Sequence, residues 1–314
     1  ELIAPLKRLS ALLLKKLDAE ADELDSATRN RLESISRSIT RRCEIISDGW
    51  CPMLAGFIDG LPANENYVDW FELSRIQGRE TDVGMYRHWI DPSIPFANVV
   101  LKPSHGALIT SATLRDRLSD NQNPDIEWNS AEIRTGAAHF ITPPARHSLK
   151  SPFDYEKQSR VFIVNDLNNK SLDQLAAAYR ELFIASGGGG LGLFTAISRL
   201  KGVYSRIVKT MEEEHIPLFG QHIDPINVGT LVDIFRTVEN SCLLGTDAVR
   251  DGVDVPGNSL RLCVFDKVPW PRPTILHKAR REHFGKQTYD DLLTRLRMKQ
   301  AFGRLIRKKT DKGV

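Results

Sequence analysis

Two arginines stand three positions apart in Gln300-Ala301-Phe302-Gly303-Arg304-Leu305-Ile306-Arg307. A guanidinium stays charged at any pH a protein tolerates, and its planar fork matches phosphate oxygens. If this turn is helical, Arg304 and Arg307 share a face. Gly303 keeps the turn free of bulk, so a ligand can approach the backbone. Leu305 and Ile306 point the other way and anchor the turn to a core. The run continues as Lys308-Lys309-Thr310-Asp311-Lys312-Gly313. A basic, solvated helix end has the same composition, so the pair on its own decides nothing.

Other stretches place small polar groups where strands end. Gly106-Ala107-Leu108-Ile109-Thr110-Ser111-Ala112-Thr113-Leu114 reads as a buried parallel strand with its functional end at the carboxyl edge. Thr195 closes the apolar run Leu191–Phe194, and Gly245-Thr246 closes Cys242–Leu244. A strand-end residue or a helix cap would also account for Thr195. Asp254 lies in Asp251-Gly252-Val253-Asp254-Val255-Pro256-Gly257, where an Asx turn is an equal reading. No G-x-x-x-x-G-K-[ST] loop is present to cradle phosphates. Gly285-Lys286-Gln287-Thr288 lacks the spacing, and Gly187–Gly190 reads as a flexible loop before a strand. There is no D-E-x-H sequence, and Glu212-Glu213-Glu214-His215 reads as a solvated helix end. The four cysteines, Cys43, Cys51, Cys242 and Cys263, form no C-x-x-C pair, so no metal site and no disulfide framework are expected.

The elements that must position these groups come in three blocks. Residues 4 to about 60 carry apolar positions at helical spacing (Leu6, Leu9, Leu13, Leu17, then Leu32, Ile35, Ile39), with Asp25 or Ser26 as a cap. Two such helices joined by a short turn form an antiparallel pair. Tyr67–Leu73 and Met85–Ile90 are aromatic and alternating, with polar residues between them, and predict a β-hairpin. A short helix around Phe96–Leu101 follows. From about 159 strand and helix alternate. Strands are expected at Val161–Val164, Leu191–Thr195, Ile216–Phe219, Cys242–Gly245 and Leu260–Phe265. Helices are expected at Ser171–Ile184, Ile197–Val208 and Pro225–Phe235, and a basic helical stretch from about Thr274 to Arg307. Repeated βα units predict a parallel sheet with helices on both faces.

The chain has 314 residues, 41% of them hydrophobic and 26% charged, with a net charge of +3. These values suit a globular protein. No signal peptide and no apolar run of membrane-spanning length are present, so no membrane partner is expected. With its unpaired cysteines this predicts a reducing, cytoplasmic setting. The basic C-terminal stretch suits a polyanionic partner or a solvated face. Beginning at Glu1 rather than Met, the sequence reads as a piece of a longer protein.

Several of these segments, in order, resemble superfamily 2 helicases of the DinG/XPD type. Gln300–Arg307 resembles the Q-x-x-G-R-x-x-R of motif VI. Ser111-Ala112-Thr113 resembles motif III. Leu193-Phe194-Thr195-Ala196 resembles motif IV, usually L-F-T-S. Gly245-Thr246 through Asp251–Gly257 resembles motif V. Val264–Trp270 resembles that family's I-x-K-L-P-F segment, and Ser151-Pro152-Phe153-Asp154-Tyr155 also has a counterpart there. The resemblance covers residues 105–314. Asp251 stands where the family usually has Glu, Trp270 where it has Phe, and Ala196 where it often has Ser.

The resemblance implies a RecA-like second motor domain over 119–314. It also implies the hairpin and last strand of a first motor domain over 67–118, and an arch-like helical region over 1–66. It implies that Arg304, Arg307 and Gln300 serve the γ-phosphate of ATP, with Gly252, Asp254 and Gly303 in the nucleotide site. Thr195, Gly245 and Thr246 would line a groove for single-stranded DNA, where backbone and hydroxyl groups meet phosphates. Ser111, Ala112 and Thr113 would couple the two sites. The strand before them, Gly106–Ser111, would have its neighbours in the missing first motor domain. In this chain it is therefore expected to be disordered or to pair with the Tyr67–Ile90 hairpin or another copy. ATP and Mg2+ are the implied cofactors of the intact enzyme, with an iron–sulfur cluster possible upstream. The partners are single-stranded DNA and the missing first motor domain, without which the chain should be inactive. A non-catalytic nucleic-acid- or protein-binding module and an RNA helicase are the competing readings.

Overall fold

The computed structural model describes residues 2–58, 60, 64–116, 124–168, 170–247, 249 and 255–314. The chain forms two compact units, Glu1–Pro92 with Pro273–His283, and Ser93–Arg272 with Phe284–Val314. The resemblance implies boundaries near 66 and 118; by compactness the hairpin groups with the helices that precede it.

In the first unit, α1 (Ile3–Ala19) and α2 (Ser26–Glu44) are the two expected helices. Asp25 caps α2 by accepting the Thr28 N–H at 2.9 Å. Leu17, Ile39 and Cys43 are buried, and Ser10 and Ser36 share a hydrogen bond of 2.8 Å within the pair. A π-helical turn leads into α3 (Cys51–Ile58). Strands β1 (Tyr67–Ile76) and β2 (Arg79–Trp89) form the predicted hairpin, paired from Tyr67↔Trp89 to Ile76↔Arg79 with a one-residue shift between Ser74 and Arg75. Its two-residue turn has φ of 50° at Gln77 and 80° at Gly78, the turn type that matches strand twist. Asp69 and Arg87 pair through two bonds of 2.8 and 2.7 Å. Helix α10 (Ile275–Phe284), apart from its last residue, belongs to this unit. Its Arg280 donates to the Trp89 and Ile90 carbonyls.

The second unit is the α/β part. It contains α4 (Ser93–Phe96), α5 (Pro124–Thr135), α6 (Tyr155–Gln158), α7 (Leu172–Ala185), β3 (Gly190–Leu193), α8 (Ile197–Glu213), β4 (Leu218–Gly220), α9 (Val228–Thr237), β5 (Cys242–Gly245), β6 (Leu262–Phe265) and α11 (Gln287–Leu305). The four strands are parallel in the order β4-β5-β3-β6. Alternate residues feed two cores. Cys242 and Leu244 join Tyr179, Phe183, Leu200, Val203 and Ile207 on the α7–α8 face. Leu191, Leu193 and Leu243 join Leu231, Phe235, Ala301 and Leu305 on the α9–α11 face. Helices therefore cover both faces, as the repeated βα pattern predicts. Cys242 is buried, and burial pushes its thiol up to about 12, which fits a core residue rather than a ligand.

Three segments depart from the sequence-based expectations. Val161–Val164 is not a strand. It is exposed, because the single bridge of Ser159 with Gly313 goes no further and the edge beside β6 is taken by Val314, which exchanges hydrogen bonds with Arg261 and Cys263. Gly106–Ser111 lacks the strand its composition suggests and stands outside the parallel sheet, with Leu108 88% exposed, in line with the expectation that this segment is left without its strand neighbours. Gly187–Gly190 is a fixed turn rather than a flexible loop. Gly188 and Gly189 are buried, the Gly188 N–H closes on the Phe183 carbonyl and the Gly189 N–H on Ser241, and Gly190 is already in β3.

Candidate functional site

In a parallel sheet the loops after the strands gather at one edge, where ligands bind. Here that edge brings together the ends of β3, β5 and β6. Leu193, Phe194, Thr195, Thr246, Asp247, Phe265 and Pro269 line one shallow recess. Thr195 and Thr246, far apart in sequence, are thus neighbours, as the motif reading requires. Gly245 ends β5 just before Thr246. It is buried, and a Cβ there would sit 2.5 Å from the Val249 side chain, so it is glycine for close packing.

The two threonines are held by groups that the sequence pattern did not single out. Asp266 follows β6, its side chain is fully buried, and its Oδ1 accepts the Thr195 N–H at 3.2 Å while Oδ2 pairs with Arg199 at 2.8 Å. Arg272 donates to the Thr195 carbonyl at 3.0 Å. Gln221, just past β4 and buried, accepts both the Thr246 N–H at 2.8 Å and its hydroxyl at 2.9 Å. Both donors of Thr246 are therefore engaged, and a phosphate contact there requires an exchange with Gln221. The Thr195 backbone N–H is likewise taken, which leaves its hydroxyl as that residue's donor. A sequence signal for Asp266 and Gln221 existed: each is a polar residue directly after an apolar strand.

Helix α11 carries the arginine motif, with a correction. Gln300 is exposed, Gly303 is half-buried with nothing within 4 Å of where a Cβ would stand, and Arg304 is half-buried in the last turn. The helix ends at Leu305, and Ile306 has extended backbone angles of −117° and 104°. Arg307 therefore lies beyond the helix, and the two arginines are not successive positions on one helical face. Gly252 and Asp254 lie outside the described residues. Ser111, Ala112 and Thr113 form a turn, exposed at its first two residues, in which the Ser111 hydroxyl accepts the Thr113 N–H at 3.2 Å. Among the described residues no group of three or more His, Cys, Asp or Glu could hold a metal ion.

Three residues after Thr113, the chain is tied to α11. Asp116 is buried and accepts from Arg295 at 3.2 and 2.6 Å and from Lys299 at 3.3 Å. Burial pushes this carboxyl up, but the Arg295 hydrogen bond and the charges of Arg295 and Lys299 outweigh it and hold it below its ordinary value. A lowered folded pKa contributes stability above the unfolded value of about 3.9, lost as pH falls through the folded one. Asp116→Asn should therefore cost about 1–3 kcal/mol at pH 7. Its deficit against wild type should shrink below about pH 4. Urea melts at pH 7 and pH 3 check this, and a deficit independent of pH would refute it.

Residues 179–314 match the helicase C-terminal domain family. The chain is 28% identical over 266 residues to the "3'-5' exonuclease DinG" of Bacillus subtilis (strain 168), covering 80% of this chain and 27% of that protein. It is 32% identical over 218 residues to the "ATP-dependent DNA helicase YoaA" of Escherichia coli (strain K12), covering 66% of this chain and 32% of that protein. It is 31% identical over 185 residues to the "ATP-dependent helicase DinG" of Mycobacterium tuberculosis (strain ATCC 25618 / H37Rv), covering 55% and 27%. The matched stretches span only 27% to 32% of these relatives' own lengths. Among the described residues no helix is long and apolar enough to cross a membrane.

Proposed function

We propose, from the premise that this chain is a C-terminal region of the DinG-type helicases, that it supplies the second RecA-like motor domain of an ATP-dependent DNA helicase. In this reading ATP and Mg2+ bind between this domain and a first motor domain that contributes the phosphate loop and the metal ligands. Arg304 and Arg307 answer the charge that develops on the transferred phosphoryl group. Gln300 and Asp254 assist at the nucleotide, and Gly252 and Gly303 leave room beside it. Thr195 and Thr246 contact the backbone of single-stranded DNA, and opening and closing of the cleft moves the strand. Ser111, Ala112 and Thr113, together with the hairpin over 67–118, belong to the first motor domain, and the helices over 1–66 to an arch-like region. The observation that carries the reading is the meeting of Thr195 and Thr246 in one recess at the carboxyl edge of a parallel sheet. Backbone contacts of this kind do not distinguish DNA from RNA by themselves. The DNA reading rests on relatives named as DNA helicases.

Because those contacts are to phosphates, the chain alone should bind single strands weakly and without sequence preference. The logarithm of its binding constant should fall with log salt by about 0.7 for each phosphate neutralised. Fluorescence anisotropy with labelled oligonucleotides measures this. Tight, salt-indifferent binding would contradict the reading, and so would steady-state ATP hydrolysis by the chain alone that survives Arg304→Ala.

A further inference from the structure

Arg307 stands on non-helical backbone, yet it is set firmly. Leu305 and Ile306 before it are buried at 3% and 2% exposure. After it the chain turns back on Asp311, whose Oδ2 accepts the N–H of Arg307 at 2.8 Å and of Lys308 at 2.7 Å. Asp311 is itself buried. On the other side sits Gln158, the buried last residue of α6. Its amide nitrogen faces the carbonyls of Lys308, Lys309 and Asp311 at 3.1, 3.2 and 3.0 Å. Its amide oxygen accepts the Asp154 N–H at 2.9 Å, which fixes the orientation of the amide. The backbone closes the assembly. The Gly313 N–H bonds to the Gln158 carbonyl, and the Arg160 N–H bonds to the Gly313 carbonyl. A Cβ at Gly313 would lie 2.4 Å from the Leu305 side chain, so the turn is also packed against the end of α11.

We infer that Gln158 and Asp311 are positioning residues that clamp the backbone of Arg307 so that its guanidinium is presented to a phosphate. Three features favour this over a purely structural role. Both clamp side chains are spent on the backbone immediately around Arg307, in a turn whose own backbone contributes one closing bond, from the Asp311 N–H to the Lys308 carbonyl. A buried carboxylate and a buried amide are costly unless fully bonded, and here their bonds converge on one short segment. The side chains of Lys308 and Lys309, like that of Arg307, are exposed. The clamp uses their backbone and leaves their charge in solvent. A displacement of the order of 1 Å at a transition-state ligand costs about 10²-fold in rate.

This inference rests on the reading of Arg307 as a phosphate ligand. The test uses the full-length helicase and DNA-stimulated ATP hydrolysis. Asp311→Ala should lower kcat about 10- to 100-fold with the KM for ATP nearly unchanged. Asp311→Asn keeps an oxygen that can accept both N–H groups and should recover most of the rate. Because the clamp acts through Arg307, the double variant Arg307→Ala/Asp311→Ala should be no slower than Arg307→Ala alone. If Asp311→Ala melts early, Asp311→Glu, which moves the acceptor by one methylene, and Gln158→Ala should show the same kcat loss. A wild-type kcat in these variants, an Asn variant as slow as the Ala variant, or additive losses in the double variant would overturn the clamp. Were Arg307→Ala itself to keep a wild-type kcat, the phosphate reading would fall and the clamp with it. A slow Arg307→Ala beside fast clamp variants would remove the clamp alone.

Discussion

In the full-length helicase, Arg304→Ala and Arg307→Ala should each reduce the turnover number of DNA-stimulated ATP hydrolysis by about 10³-fold. The estimate takes the lower end of the range for arginine fingers, because two arginines share the task. The loss should fall on kcat more than on KM. An interaction completed only as charge develops on the phosphoryl group stabilises the transition state without strengthening ground-state binding. Lysine should rescue little, since a point charge cannot copy the two-pronged fork. Arg307 is exposed, so its truncation opens no cavity and should change the melting temperature little. Arg304 is half-buried, and a small drop is expected there. Lys308→Ala and Lys309→Ala should be near wild type, because both side chains are solvated. The check is kcat and KM with single-stranded DNA present, on variants whose melting has been measured. A near-wild-type kcat for both arginine variants would mean that this motif does not serve the phosphate.

The largest stability effect should come from Gly188→Ala. Gly188 sits at a φ of +82°, which side chains adopt only under strain, and a Cβ there would stand 1.8 Å from the Asn240 carbonyl oxygen. That neighbour is backbone, in the turn that leads to the central strand β5, so no side-chain rotation relieves the clash. The variant should lose at least about 3 kcal/mol. Its melting temperature should fall by the order of 10 °C. Gly303→Ala is the control. It is a helical glycine with open space around it, so alanine should not destabilise and should add about 0.5–1 kcal/mol. Equal melting of the two variants would show that the turn is looser than described.

Much of the second unit is legible in the sequence, because each element there carries its own signal. Ser171 caps α7 as its position suggests, and the apolar runs at 191–193, 242–245 and 262–265 are strands bounded by turn residues. Val161–Val164 shows where that reasoning stops. Its composition is that of a strand, but a strand also needs a neighbour, and whether one exists is settled by the rest of the fold. The end of α11 is a similar case. No glycine or proline marks Leu305 as the last helical residue. The helix stops where Ile306 turns into the core and the Asp311 carboxylate takes the next N–H groups. The recess around Thr195 and Thr246 followed from the order of the motifs. The residues that hold it did not, because Asp266 lies 71 positions from Thr195, and Gln158 lies 153 positions from Asp311. Pairings over such separations leave no local pattern.

The central claim is that this chain provides the charge that meets the transferred phosphoryl group of ATP. The most direct measurement is the affinity of the full-length helicase, with single-stranded DNA bound, for ADP together with aluminium fluoride, a mimic of the phosphoryl group in flight. Wild type should bind the mimic at least 10²-fold more tightly than ADP alone. Arg304→Ala and Arg307→Ala should lose most of that advantage while their affinity for ADP stays within about two-fold. If both variants keep the full preference for the mimic, the arginines do not meet the transition state, and the account is wrong at its centre.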